Sequence, residues 1–175
     1  MVVLPLISVT LIGWPFGYAS APYNIAWADR FPRRAAWMSL AGPAANLALV
    51  LASGVAIQLG MFTGVFQAPG TANFSQVVAA SESGVWESAA LLLSIFFSLN
   101  LILCFFNLLP LPPLDGSGAV GLLLSDDNAR RFREFSSRPM FSVIGLLLAW
   151  RFFGPIFDPV FTLALNLLHP GAGYS

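Results

Sequence analysis

Two stretches of the chain, Gly42–Phe62 and Ala89–Leu109, are almost continuously apolar, with none of the polar stripe that a surface helix shows. Each runs for about 20 residues, the length at which a helix crosses the hydrocarbon of a bilayer. Met140–Leu168 is also long enough, but Arg151, Pro155, Asp158 and Pro159 interrupt it. It reads as a span over Phe141–Phe153 followed by a broken or interfacial helix over Val160–Leu168. Val2–Gly13 is apolar but short, with Pro5 inside, and reads as the end of a span. The pattern predicts an all-α polytopic membrane protein. It would have about three transmembrane helices, a partial N-terminal span and a broken C-terminal helix, in one membrane-embedded domain over residues 1–175. Thr63–Ser83, rich in Gly, Ala, Ser and Gln, reads as a loop. Ser125-Asp126-Asp127 is a candidate N-cap for a short connector helix carrying "NARRFREF".

Composition supports the bilayer as solvent. The chain is 57% hydrophobic and 9% charged, with a mean hydropathy of +0.78, whereas roughly a quarter of a soluble domain is charged. Eight basic residues, all arginine, balance eight acidic ones, so nothing in the charge points to nucleic acid. The arginines cluster in the loops 24–37 and 125–138, while Thr63–Trp86 holds no basic residue. By the positive-inside rule both arginine loops face the cytoplasm, and both clean spans agree. The N-terminus lacks the basic region and cleavage site of a signal peptide. Cys104 stands alone inside an apolar run, so there is no disulfide framework and it reads as a small buried hydrophobe.

Chemistry is concentrated where the spans meet the arginine loops. Asn107–Gly118, "NLLPLPPLDGSG", ends an apolar run with Pro110, Pro112 and Pro113, then presents Asp115. Irregular backbone at membrane depth is tolerated only when buried in protein or lining a watery cavity. An ionisable group there is a functional-site hypothesis, and a turn or N-cap aspartate is the plain alternative. Asn100 and Asn107 share one helical face, expected to point inward. "AGPAANL" puts Gly42-Pro43 in a first helical turn, where proline costs no hydrogen bond. Asn46 follows one turn on, and an interhelical hydrogen bond alone would also explain it. Ala44, Ala48, Ala52, Ala56 and Gly60 recur at every fourth position, a stripe on which another helix can approach closely.

Together these residues resemble the site-2 protease family of intramembrane zinc metalloproteases. "NLLPLPPLDG" is similar to that family's N-x-x-P-x-P-x-L-D-G motif, and "AGPAAN" to its G-P-x-x-N motif. "LPLISVTLIGWPFGYASAP" resembles the segment that follows the family's first metal motif. The resemblance implies that Asp115 is a zinc ligand and that Asn46 positions the substrate or its oxyanion. Gly42, Pro43, Asn107, Pro110, Pro112, Leu114 and Gly116 would support the two motifs. It implies transmembrane helices of other proteins as substrates, the lipid bilayer as surroundings and, for location, a bacterial plasma membrane. "PFGYASAPYN" would offer a strand edge to an unwound substrate. Ser20 departs from the lysine common in related sequences, which puts contacts of that loop in doubt.

The family's remaining ligands and its general base come from H-E-x-x-H on an upstream helix, which holds Zn2+ and activates its water. This sequence contains no such motif, and its one histidine, His169, lies six residues from the end, where an interfacial role is expected. A catalytic zinc takes three protein ligands, so the chain alone is expected to be inactive. Either the sequence is a member lacking its N-terminal span, which the start inside "VVLPLI" favours, or it is a pseudo-protease that binds helices without cutting them. A small-transporter fragment would show paired interruptions in two halves, and none are visible. An in-frame H-E-x-x-H in the coding DNA upstream of Met1 is the expected observation. Its absence, with no zinc in the purified protein, would sink the protease reading for this chain.

Overall fold

Three stretches are helical, apolar and long enough to cross a membrane: Pro32–Phe62, Val85–Leu108 and Pro139–Leu168. The chain is an all-α polytopic integral membrane protein. The computed structural model describes residues 24–174. The expectations for Val2–Gly13, for Ser20 and for the strand edge up to Tyr23 therefore fall outside the described residues. Two units separate, Met1–Arg30 and Phe31–Ser175. The described part of the first is α1, Ile25–Arg30, whose first turn is capped by the Asn24 side chain accepting from the Trp27 amide at 3.0 Å.

In the second unit, α2 (Pro32–Ser39) and α3 (Ala41–Phe62) are separated by a single turn at Leu40. Proline within the first positions of both helices removes donors that a helix start leaves unpaired anyway. After α3 come two short strands, β1 (Phe66–Gln67) and β2 (Ala79–Ala80), paired antiparallel with Phe66 opposite Ala80. Then follow α4 (Val85–Leu108), α5 (Asp115–Ala119), a 3₁₀ turn (Val120–Leu123), α6 (Asp126–Ser136) and α7 (Pro139–Leu168).

The main core lies between α3, α4, α7 and the hairpin, around Ile57, Phe97, Leu101 and Leu165. The face of α3 that is buried carries Val50, Ser53 and Ile57. Along the small-residue stripe Ala44, Ala48 and Ala52 are exposed, whereas Ala56 is half-buried and Gly60 packs so closely on the Phe66 ring that a Cβ there would overlap it. Smaller residues do pack at the arginine-bearing end: a Cβ on Gly121 would lie 3.3 Å from Ala36 Cβ and 3.7 Å from Ala129 Cβ. Ser125 holds the N-cap position of α6, but its hydroxyl makes no capping bond. The Arg33–Asp126 pair spans α2 and α6 at 3.6 Å on the surface, where an ion pair contributes little.

Two segments differ from the expectation. The break after Phe153 is absent, because α7 runs unbroken through Pro155 and Pro159. Those prolines are four residues apart and exposed, so both lost donors fall on one face, away from the packed side. On the packed side Phe153, Phe157 and Phe161 stack at helical spacing, at 5.0 and 5.8 Å, and Phe153 meets Phe106 of α4 edge-on at 5.3 Å. Thr63–Ser83, expected as a loop, folds back onto α4 and buries Val77 and Val78. The Ser94 hydroxyl, fully buried, accepts from the amides of Val77 (3.0 Å) and Val78 (3.1 Å). His169, expected to be interfacial, is buried against the same loop. Its Nε2 lies 2.7 Å from the Val77 carbonyl and so carries the proton.

Ser94→Ala leaves two buried amides without an acceptor, each costing about 1–3 kcal/mol. The melting temperature should fall, and amide exchange at Val77 and Val78 should accelerate. Ser98 is equally buried, but its hydroxyl has no partner among the described residues. Ser98→Ala should therefore leave the melting temperature unchanged or slightly raised.

Candidate metal centre

Where α4 ends, the chain must leave the helix without stranding backbone donors in an apolar setting. Pro110, Pro112 and Pro113 have none to strand. The two remaining amides, Leu111 and Leu114, donate to Leu109 (2.8 Å) and Leu111 (2.9 Å) within the segment. The Pro112–Pro113 peptide is cis. The buried Leu114 is the N-cap of α5, and Asp115 is that helix's first residue, making no capping hydrogen bond. The N-cap alternative for Asp115 thus has no bond behind it.

Gly116 sets where α5 sits. A Cβ there would overlap the carbonyls of Leu108 and Leu109 at the end of α4. Only glycine lets the two backbones come this close. With α5 seated on those carbonyls, the Asp115 side chain reaches the first turn of α3. A Cβ on Gly42 would stand 2.9 Å from Asp115 Oδ2, so the glycine leaves room for the carboxylate. Asn46, four residues on, lies about one turn further along the same face. The structure thus brings Gly42 and Asp115 together, and Pro43, next to Gly42, is buried.

Asp115 and Asn46 are both half-buried, and neither side chain has a hydrogen-bond partner among the described residues. Burial pushes the Asp115 carboxyl above the usual carboxylate value. On α4, Asn100 is buried and donates to the Phe96 carbonyl at 2.8 Å. Asn107 is half-buried and has no partner among the described residues.

The sequence model of peptidase family M50 matches residues 10–151. That is most of the chain and includes both segments that meet here. The chain belongs to peptidase family M50. No curated protein and no solved structure matches the chain. M50 peptidases are membrane-embedded metalloproteases, zinc-dependent in general, and act on transmembrane substrates.

The M50 chemistry calls for a donor set that these residues do not complete. Among the described residues there is no group of three His, Cys, Asp or Glu side chains able to hold a metal. His169 cannot join Asp115. It follows Leu168, whose carbonyl accepts from the Gln58 side chain, and Gln58 lies sixteen residues, about 24 Å, along α3 from Gly42. Cys104 is buried within α4. A catalytic zinc takes three protein ligands, and among the described residues the donor at this site is Asp115 alone. No catalytic step through zinc follows from that set.

The contacts of Gly42 and Gly116 were not legible as contacts, although both glycines stood in the two motifs. Gly116→Ala should lower the melting temperature by several degrees, because a methyl group meets two backbone carbonyls. In metal-free protein, Asp115→Asn should raise the melting temperature at pH 7. The folded-state pKa is raised, so the ionised form opposes folding above it. The gain should shrink as pH falls and vanish below the ordinary carboxylate value of about 3.9. An Asp115→Asn effect independent of pH would contradict the desolvated carboxylate.

Proposed function

We propose that this chain is the part of an M50 intramembrane metalloendopeptidase that supplies the carboxylate ligand of the zinc and the amide that positions the substrate. The observation that carries the reading is the Asp115 carboxylate lodged beside Gly42 at the start of α3. Two segments far apart in sequence meet there, and Asp115 brings a carboxylate to the meeting. In this reading Asp115 holds one coordination position. Asn46, a half-buried amide with two donors and an acceptor unclaimed by described residues, orients a peptide carbonyl beside it. The arginine-bearing end, with α2, α5 and α6, faces the cytoplasm, which puts the site near that surface. Glycine and proline around Asp115 keep the backbone from competing for the carboxylate.

Alone, the chain would neither bind zinc tightly nor cleave. A non-catalytic, helix-binding role is the second reading, favoured by the incomplete donor set.

Metal analysis separates the two. The purified chain should contain far less than one zinc per molecule. Co-expressed with a membrane helix carrying H-E-x-x-H, it should retain about one, and Asp115→Ala should remove most of it while Asn46→Ala should not. Zinc retention that ignores Asp115 would refute the ligand assignment. No zinc with histidines supplied would favour the helix-binding role.

A further inference from the structure

At the end of the molecule opposite Asp115, a cavity of about 780 Å3 lies between the second half of α7, the loop at residues 68–72 and the tail at 172–174. Its lining includes Pro69, Asp158, Phe161, Thr162 and Tyr174. Asp158 and Thr162 are one turn apart, so the carboxylate and the hydroxyl share a face of α7. Asp158 stands ten residues, about 15 Å, before the end of this 30-residue apolar helix. A carboxylate in such a helix is expensive unless something compensates its charge.

The chain does not provide that compensation. Among the described residues no basic group pairs with Asp158, and none lines the cavity. The walls are nevertheless built. The Tyr174 hydroxyl donates to the Pro69 carbonyl at 2.8 Å. Asn166 clasps the Tyr174 backbone through two hydrogen bonds, of 2.9 and 3.0 Å. The tail and loop are thus fixed around the opening. Phe161 and Tyr174 bring aromatic rings to a cavity that also holds a carboxylate, the combination that attracts organic cations. Ca2+ or Mg2+ would need about six oxygen ligands in a close shell, and Asp158 is the single carboxylate in the lining.

We propose that this cavity is a binding site for a primary ammonium group, with Asp158 as its counter-ion and Thr162 as a hydrogen-bond acceptor. The ammonium belongs either to an amine-headed phospholipid or to a soluble polyamine. The site lies at the far end of α3 from Asp115 and is independent of the metal centre.

The test uses the full chain in nanodiscs of equal phosphatidylethanolamine and phosphatidylcholine, analysed by native mass spectrometry. Phosphatidylcholine is the trimethylated counterpart that cannot donate. The wild type should retain the ethanolamine lipid about tenfold over the choline lipid, the scale of a charge-assisted hydrogen bond. The preference should vanish in Asp158→Asn and survive in Asp158→Glu. Thr162→Val, which keeps the charge, should weaken it, and serves if the asparagine variant fails to fold. Spermidine titrated into choline-only nanodiscs forms the second arm. Asp158-dependent spermidine binding without a lipid preference would assign the site to a soluble amine. No amine preference in either arm, or one untouched by Asp158→Asn, would overturn the proposal.

Discussion

Backbone hydrogen bonding at the exit of α4 constrains everything around the candidate site. A chain leaving a helix in apolar surroundings carries polar backbone groups that water cannot satisfy. Here three prolines remove the donors, and the two amides left, Leu111 and Leu114, bond within the segment. The backbone of Gly116 then packs directly on the carbonyls of Leu108 and Leu109 at the end of α4. The Pro112 carbonyl is covered in turn by Gly145 of α7, where a Cβ would collide with it. One short irregular segment therefore locates α5 on one side and α7 on the other. The direction of Asp115 towards α3 follows from that placement.

The rest of the molecule holds the two ends of α3 and α4 in register. At the hairpin end, Ser94 satisfies the Val77 and Val78 amides, and His169 binds the Val77 carbonyl from the C-terminal side. At the arginine-bearing end, small residues of α2, the 3₁₀ turn and α6 pack without large side chains. Between the ends, an aromatic ladder on α7 meets α4. A metal-ligating carboxylate needs such a frame, because a ligand displaced by an ångström no longer completes a coordination shell.

The helical spans were legible because bilayer thickness imposes length and apolarity together. The two motifs were legible because glycine, proline and aspartate have narrow physical uses at helix ends. The continuity of α7 was not legible. Arg151, Pro155, Asp158 and Pro159 look like a break along the sequence, yet Phe153, Phe157 and Phe161 keep the opposite face packed. The small-residue stripe of α3 was legible as a face but not in its partner, the Phe66 ring that packs on Gly60, because periodicity does not say what lies against a face. The Ser94 contact joins positions sixteen and seventeen residues apart through a turn that no local pattern marks. Membership of M50 rests on the match over residues 10–151. The placement of Asp115 against Gly42 comes from the geometry.

That placement is the central claim, and cysteine cross-linking tests it most directly. With Cys104 replaced by alanine, the pair Gly42→Cys and Asp115→Cys should form a disulfide or a short-linker cross-link under mild oxidation in native membranes. The Cβ-to-carboxylate approach of 2.9 Å brings the two side chains within reach. A second pair, Gly54→Cys and Leu168→Cys, whose positions lie in side-chain contact, reports independently that the far end of α3 is folded. Efficient linkage of both pairs is the predicted result. Linkage at the far end with none between positions 42 and 115 would contradict the account.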